Sequence, residues 1–148
     1  MVSIRRARPA DLPSILRIEK KSFGHDAWDR AMFLDYFARP ARSVFLVAVV
    51  DRTVAGYALA CHTPTRAELH SIAVAPSHRG KGIAIALMRR VLASLARSGF
   101  RDVSLNVRLE NKAAIQLYRR YGFQRVRRVN DYYEDGAPSW RMRRGTTS

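Results

Sequence analysis

The sequence predicts an α/β (α+β) domain, and three observations predict it. Seven short segments read as strands, alternating or continuously apolar, and four others read as helices. The order of those segments is βααβββαβαββ, which mixes hairpin neighbours with a helical crossover between strands that could run parallel. Glycine loops do not follow every strand, which sets the chain apart from doubly wound sheets.

Residues 2–8 read as the first strand. Asp11 is placed to cap a helix over residues 12–22, with Pro13 tolerated in its first turn. Leu12, Ile15, Leu16 and Phe23 sit at helical spacing there. A short helix over residues 29–38 ends before Pro40. Residues 44–50 are an apolar run of strand length, Asp51-Arg52 interrupts it, and residues 53–61 resume it. That is a hairpin signal, although the turn lacks the glycine such turns prefer. Residues 68–74 form another strand, closed by Ala75-Pro76.

The strongest helix follows, beginning at about Gly82. Ile83, Leu87, Met88, Val91, Leu92 and Leu95 make one apolar stripe, and Gly99 can cap its end. Residues 103–107 are a strand. Asn111 can cap a helix carrying Ala114, Leu117, Tyr118 and Tyr121, with Gly122 past its end. Residues 123–129 and 139–143 alternate like strands.

A chain of 148 residues without repeats or linkers fits one domain over residues 1–148. No apolar run approaches the ~20 residues of a membrane span, and the first residues do not read as a secretory leader. Cys61 is the sole cysteine, which excludes an internal disulfide. A cytoplasmic protein with no membrane partner is expected, as a monomer or weak dimer. The 27 basic residues, 23 of them arginine, outnumber 12 acids and give a net charge of +15. Such a charge draws an acidic partner: a polyphosphate coenzyme, an acidic protein tail or RNA. The basic pairs are scattered, however, with no aromatic-interleaved stripe and no nucleic-acid motif. Nucleic acid is therefore not the expected main partner.

The segment from Ile72 to Ala84 carries most of the chemical information. A strand ends, a loop follows, and an amphipathic helix begins at a Gly-Lys-Gly turn. Free amides at a helix start lie beside the positive end of the helix dipole, and glycine lets a ligand approach the backbone. With Arg79 and Lys81 alongside, this is an anion site suited to a pyrophosphate. Neither the Walker spacing nor the Gly-x-Gly-x-x-Gly fingerprint is present. Taken alone, the turn reads equally well as a flexible connection.

The wider segment resembles the acetyl-coenzyme A signature of the GNAT N-acetyltransferases, Arg/Gln-x-x-Gly-x-Gly/Ala, here Arg79, Gly82 and Ala84. Asn111, Ala114, Leu117, Tyr118, Gly122 and Phe123 follow with the family's spacing. The stretch Asn130-Asp131-Tyr132-Tyr133-Glu134-Asp135-Gly136 is similar to that of the protein N-terminal acetyltransferases, the ribosomal-protein-alanine (RimI) branch and its relatives. The resemblance covers nearly the whole chain from Ile4 to Met142. It implies a GNAT fold, a mixed and mostly antiparallel sheet of about seven strands flanked by about four helices. It also implies acetyl-CoA as co-substrate, no metal, and acetyl transfer to a primary amine, foremost the α-amine of a protein or peptide that could be ribosomal.

By the same resemblance, Ile72, Ala73 and Val74 offer their backbone to the acetyl group and pantetheine arm. Arg79, Gly80, Lys81, Gly82, Ile83, Ala84 and Ile85 hold the pyrophosphate. Asn111 contacts the coenzyme near the pantetheine, and Tyr118 protonates the leaving thiolate. In the RimI branch a glutamate base stands at the position of Asn106, and an amide cannot take that proton; Asn106 is left as an acceptor contact. Glu68 and His70 are the candidate bases in its place. They lie two apart on the strand leading to Ile72, which puts all three on one face by strict alternation. The loop His25-Asp26-Ala27-Trp28, Tyr36 and the Tyr132-Tyr133 turn would form the acceptor groove. Cys61 has no motif partner and is not expected to act as a nucleophile. Two readings stay open beside the first: acetylation of lysine side chains or small amines, and a non-catalytic domain that binds acetyl-CoA.

Overall fold

Seven short strands pair into one sheet, and the helices cover its two faces. The structure is a computed structural model describing residues 2–145. In chain order the elements are β1 (Val2–Arg6), α1 (Leu12–Phe23), α2 (Arg30–Phe37), β2 (Ser43–Val50), β3 (Thr53–His62), β4 (Ala67–Val74), α3 (Ile83–Arg97), β5 (Val103–Arg108), α4 (Lys112–Arg120), β6 (Gln124–Val129) and β7 (Ser139–Arg144). The sheet order is β1-β2-β3-β4-β5-β7-β6. Every neighbouring pair is antiparallel except β4 and β5, which run parallel because α3 carries the chain back between them.

Two cores result. Leu87, Met88, Val91 and Leu95 of α3, with Ile115 and Tyr118 of α4, pack on one face. Leu12, Ile15 and Ile18 of α1 and Phe33 of α2 pack on the other, against Phe45, Val47, Tyr57 and Leu59. Gly56 lets the start of α3 cross the sheet closely; a Cβ there would meet the Ala73 carbonyl of β4 at 2.9 Å and the Ile83 and Leu87 side chains of α3 at 3.3 Å. The β2–β3 turn forms without glycine: Asp51 and Arg52 both take positive φ, 48° and 65°, as a type I′ turn requires.

Two expectations are corrected. Asp11 does not cap α1 through its side chain. Its carboxylate receives two hydrogen bonds from Arg5, each 2.8 Å, and one of 2.7 Å from the Arg8 amide. The Arg5 guanidinium holds the Asp11 carboxyl below its ordinary range. The second correction concerns β4. Leu59 pairs with Ser71 but the next residue, Ala60, pairs with Leu69, so His70 is the extra residue of a bulge. The bulge breaks strict alternation. His70, Ser71 and Ala73 face α1 and α2, while Ile72 packs into the α3 core, so Ile72 does not share a face with His70.

Candidate active site

β4 and β5 pair only at Ala67–Val103 and Glu68–Ser104, then separate. From Leu69 onward β4 has no strand partner on that side, and its main-chain edge is left to bind something else. The split passes through the sheet, so residues from both faces reach one space. A cleft of about 440 Å³ occupies it. Its walls bring together Glu19 and Trp28 from one face, Glu68, His70 and Ser71 from β4, Asn106 and Arg108 from β5, Asn111 and Tyr118 from α4, and the Tyr132-Tyr133 turn.

Beyond the cleft, β4 runs on through Ile72, Ala73 and Val74 into the glycine turn. Gly80 and Gly82 have φ of 77° and 79°, the left-handed region that other residues avoid. Space for a ligand is open at both, since an added Cβ would find no atom within 4 Å. Gly82 is the N-cap of α3, so the amides of Ile83, Ala84 and Ile85 have no carbonyl within the helix. Arg79 is exposed but not unattached. Its Nε donates to the Val74 carbonyl at 3.1 Å and its Nη2 to Ser22 Oγ at 3.5 Å, tying the turn to β4 and α1. Lys81 is exposed.

Tyr118 sits on the opposite wall, almost fully buried, with Phe123 edge-on to its ring. Burial, with a smaller contribution from Tyr133, raises its pKa well above that of a free phenol. The hydroxyl therefore stays protonated. Asn111 caps α4, its Oδ1 accepting from the Ala114 amide at 3.3 Å, and its side chain also lines the cleft. Asn106 Oδ1 accepts from Ser139 Oγ at 3.5 Å.

On β4, Glu68 is ion-paired with Arg141 of β7. His70 Nε2 lies 2.8 Å from Cys61 Sγ and 3.3 Å from the Tyr36 hydroxyl, and its ring packs against Trp28. Burial lowers the His70 pKa, so the imidazole is neutral near neutral pH. Cys61 thus has a close partner, but burial raises the thiol pKa as it lowers that of the imidazole, and neither group ionises the other. Tyr36 does not line the cleft. It stacks behind Trp28 at 5.7 Å and 16° and supports it from below.

The two loops over the cleft are joined by Arg108, which sequence reading did not single out. Its guanidinium pairs with Asp26 of the α1–α2 loop, reaches Asp135 at 3.0 Å and Glu110 at 3.3 Å, and lies 4.3 Å over the Tyr133 ring. Tyr132 and Tyr133 meet edge to face at 4.9 Å. The His25 side chain lies outside what the structure describes. Glu19, Ser71 and Arg141 were also missed. Glu19 had a signal: it continues the buried spacing of Leu12 and Ile15 at a position where an apolar residue is expected.

The charge of the cleft opposes that of the chain. Four of the 12 acids line it, Glu19, Asp26, Glu68 and Glu134, with Arg108 as the one arginine among the lining residues. An ammonium is drawn to such a place.

The acetyltransferase (GNAT) family profile matches residues 12–123. A Mycobacterium tuberculosis protein named N-alpha-acetyltransferase RimI is 38% identical, covering 97% of this chain and 92% of its own. Among solved structures, Ard1 from Thermoplasma volcanium superposes with a TM-score of 0.90 at 29% identity, covering 99% of each chain. The ribosomal-protein-S18-alanine N-acetyltransferase from Escherichia coli superposes with a TM-score of 0.87 at 25% identity, covering 100% of this chain and 97% of its own.

Proposed function

This chain belongs to the acetyltransferase (GNAT) family, and we propose that its acceptor is the free α-amine of a protein or peptide N-terminus. It is an N-acetyltransferase that uses acetyl-CoA. The observation that carries the acceptor reading is the split in the sheet: one cleft holds the buried phenol of Tyr118 on one wall and carboxylates on the other. The names of the Mycobacterium and Escherichia relatives, an N-alpha-acetyltransferase and a ribosomal-protein-S18-alanine acetyltransferase, support an N-terminus, a ribosomal protein's included.

Each residue then has a task. The unpartnered edge of β4 at Ile72, Ala73 and Val74 suits the amides of a pantetheine arm. The open left-handed glycines and the free amides at the start of α3 suit a diphosphate, with Lys81 as a nearby cation and Arg79 bracing the turn. Asn111 caps its helix with Oδ1 and keeps its amide nitrogen for the coenzyme. Tyr118 gives its proton to the departing thiolate, whose basicity rises in the same dry surroundings. Trp28, Tyr132 and Tyr133 cover the peptide, Asn106 contacts it, and Glu68 and His70 face the incoming amine. No helix of the described residues is long and apolar enough to cross a membrane, and the proposed place of action is the cytoplasm.

The test is thiol release on a peptide panel. Turnover on peptides with free N-termini is expected, with none on the same peptides blocked at the N-terminus and carrying internal lysine. Turnover only on the blocked set, or only on small amines, would overturn the acceptor assignment.

A further inference from the structure

We propose that Glu19 is the proton acceptor of the amine half of the site, receiving the ammonium proton through the hydroxyl of Ser71. This rests on the acetyl-transfer reading above and adds a group to it.

Glu19 comes from the middle of α1, is 3% exposed, and still forms part of the cleft wall. Its Oε2 accepts the Trp28 amide proton at 2.8 Å. Its Oε1 accepts from the hydroxyl of Tyr57 on β3 and from Ser71 Oγ on β4 at 3.2 Å. Ser71 and Tyr57 oxygens are 2.8 Å apart. Three neutral donors thus surround the carboxylate, and among the described residues no cation pairs with it. The other acids of the cleft differ. Asp26 is taken by Arg108, Glu68 by Arg141, and Glu134 is exposed.

A group that only anchored the Trp28 loop would not need to ionise, since a neutral amide can accept the same proton. Burial pushes the Glu19 pKa up to about 7, against the lowering effect of the Trp28 amide and Ser71. A base in that range is half loaded at neutral pH and can accept and release a proton there. Ser71 stands at the bulge, beside the unpartnered edge of β4. Its side chain therefore touches Glu19 while lining the cleft.

Ser71 passes its hydroxyl proton to Glu19 Oε1 and takes one from the acceptor ammonium, directly or across one water. The neutral amine's lone pair attacks the thioester carbonyl; the C–N bond forms and the C–S bond breaks. Tyr118 supplies the thiolate proton and is refilled by the second proton lost from nitrogen. One proton remains, carried by Glu19 as the neutral acid until it returns to water.

The profile of kcat/KM against pH tests this, using a peptide that the wild type acetylates. The other titratable or charged groups facing this space are Tyr57, His70, Glu68, Asp26, Arg108, Tyr118, Tyr132, Tyr133 and Glu134; each stays constant between wild type and variant. Glu19→Gln is expected to lower kcat/KM by about a hundredfold near neutral pH. The deficit should shrink as pH rises through the amine's own range of about 7.7–8.0, because the free amine then needs no base. Glu19→Asp should recover part of the activity, Ser71→Ala should fall between, and coenzyme affinity should not change in either. A loss in Glu19→Gln that is the same at every pH, or no loss, would overturn the proposal. Should Glu19→Gln fail to fold, a Ser71→Ala profile matching the wild type would overturn it equally. If the wild type acetylates only non-peptide amines, the N-terminal reading falls and the same comparison runs on that amine. Silence of the wild type on every amine removes both.

Discussion

The two ends of the β4–β5 opening are built from different materials. At the C-terminal end of β4, the binding surface is main chain: an unpartnered strand edge, two left-handed glycines and the first amides of α3. Around the cleft it is side chain: Glu19 held by the Trp28 amide, His70 by Cys61, and Arg108 by Asp26 and the Tyr133 ring, all drawn from elements far apart in sequence. A main-chain site depends on local conformation and tolerates any neighbouring side chain that stays out of the way. A side-chain site depends on long-range contacts, and each member loses its place when its partner is changed. Substitutions at the first end should act on the coenzyme alone, and those at the second on acceptor handling alone.

The largest effect is expected at Gly82. A side chain there must adopt the left-handed conformation, at about 1–2 kcal/mol, and a large one also covers the amides of α3. Gly82→Trp should lower coenzyme affinity by at least about a hundredfold, about 2.7 kcal/mol in binding free energy, as read by calorimetry. Near-normal affinity would break the main-chain account of that end. Next is Tyr118, which stands where the two ends meet. Tyr118→Phe should reduce kcat by about a hundredfold or more while coenzyme affinity stays within about twofold. Loss of affinity in step with turnover would make Tyr118 a packing residue of the core it borders.

A smaller effect is expected from Arg108→Gln, which releases Asp26, Asp135 and the Tyr133 ring together. Both loops over the cleft then lose their tie. The KM for peptide should rise about tenfold while kcat at saturation and coenzyme affinity hold, because the loss falls on ground-state positioning. If coenzyme affinity falls as well, the two ends are coupled and the comparison fails.

The same division explains what could be seen in the sequence. The α3 stripe, the glycines before it and the Asn111 cap are local patterns, and Asn111 caps its helix as expected. The strand order around β4 and β5 follows from a helix too long for a hairpin. The bulge at His70 has no sequence mark, since one extra residue in a strand looks like any other residue, and strict alternation misplaces Ile72 because of it. Asp11 reads as a cap by position, but its carboxylate turns back to Arg5, six residues earlier, and to the Arg8 amide. Arg108 finds Asp26 across 82 residues, a pairing no spacing rule reaches. Glu19 alone was within reach, as an acid in a buried stripe.

The smallest effect is the most direct reading of how that acid is held. The folded state raises the Glu19 pKa to about 7 from an ordinary carboxylate value, so folding favours its protonated form. Its contribution to stability is therefore complete below the unfolded pKa of about 4.3 and is lost as pH rises through about 7. His70 works in the other sense. Its depressed pKa favours the neutral ring, so its contribution is present above the unfolded value near 6.5 and is lost as pH falls. The two slopes oppose in the wild type, and the difference between wild type and Glu19→Gln isolates one of them. Between about pH 5 and about pH 8 the melting temperature of the wild type should fall by a few degrees relative to the variant. A difference that stays flat over that range would mean that Glu19 titrates as a solvated carboxylate. The wall of side chains around it would then be open to water, with no dry proton acceptor to offer the amine.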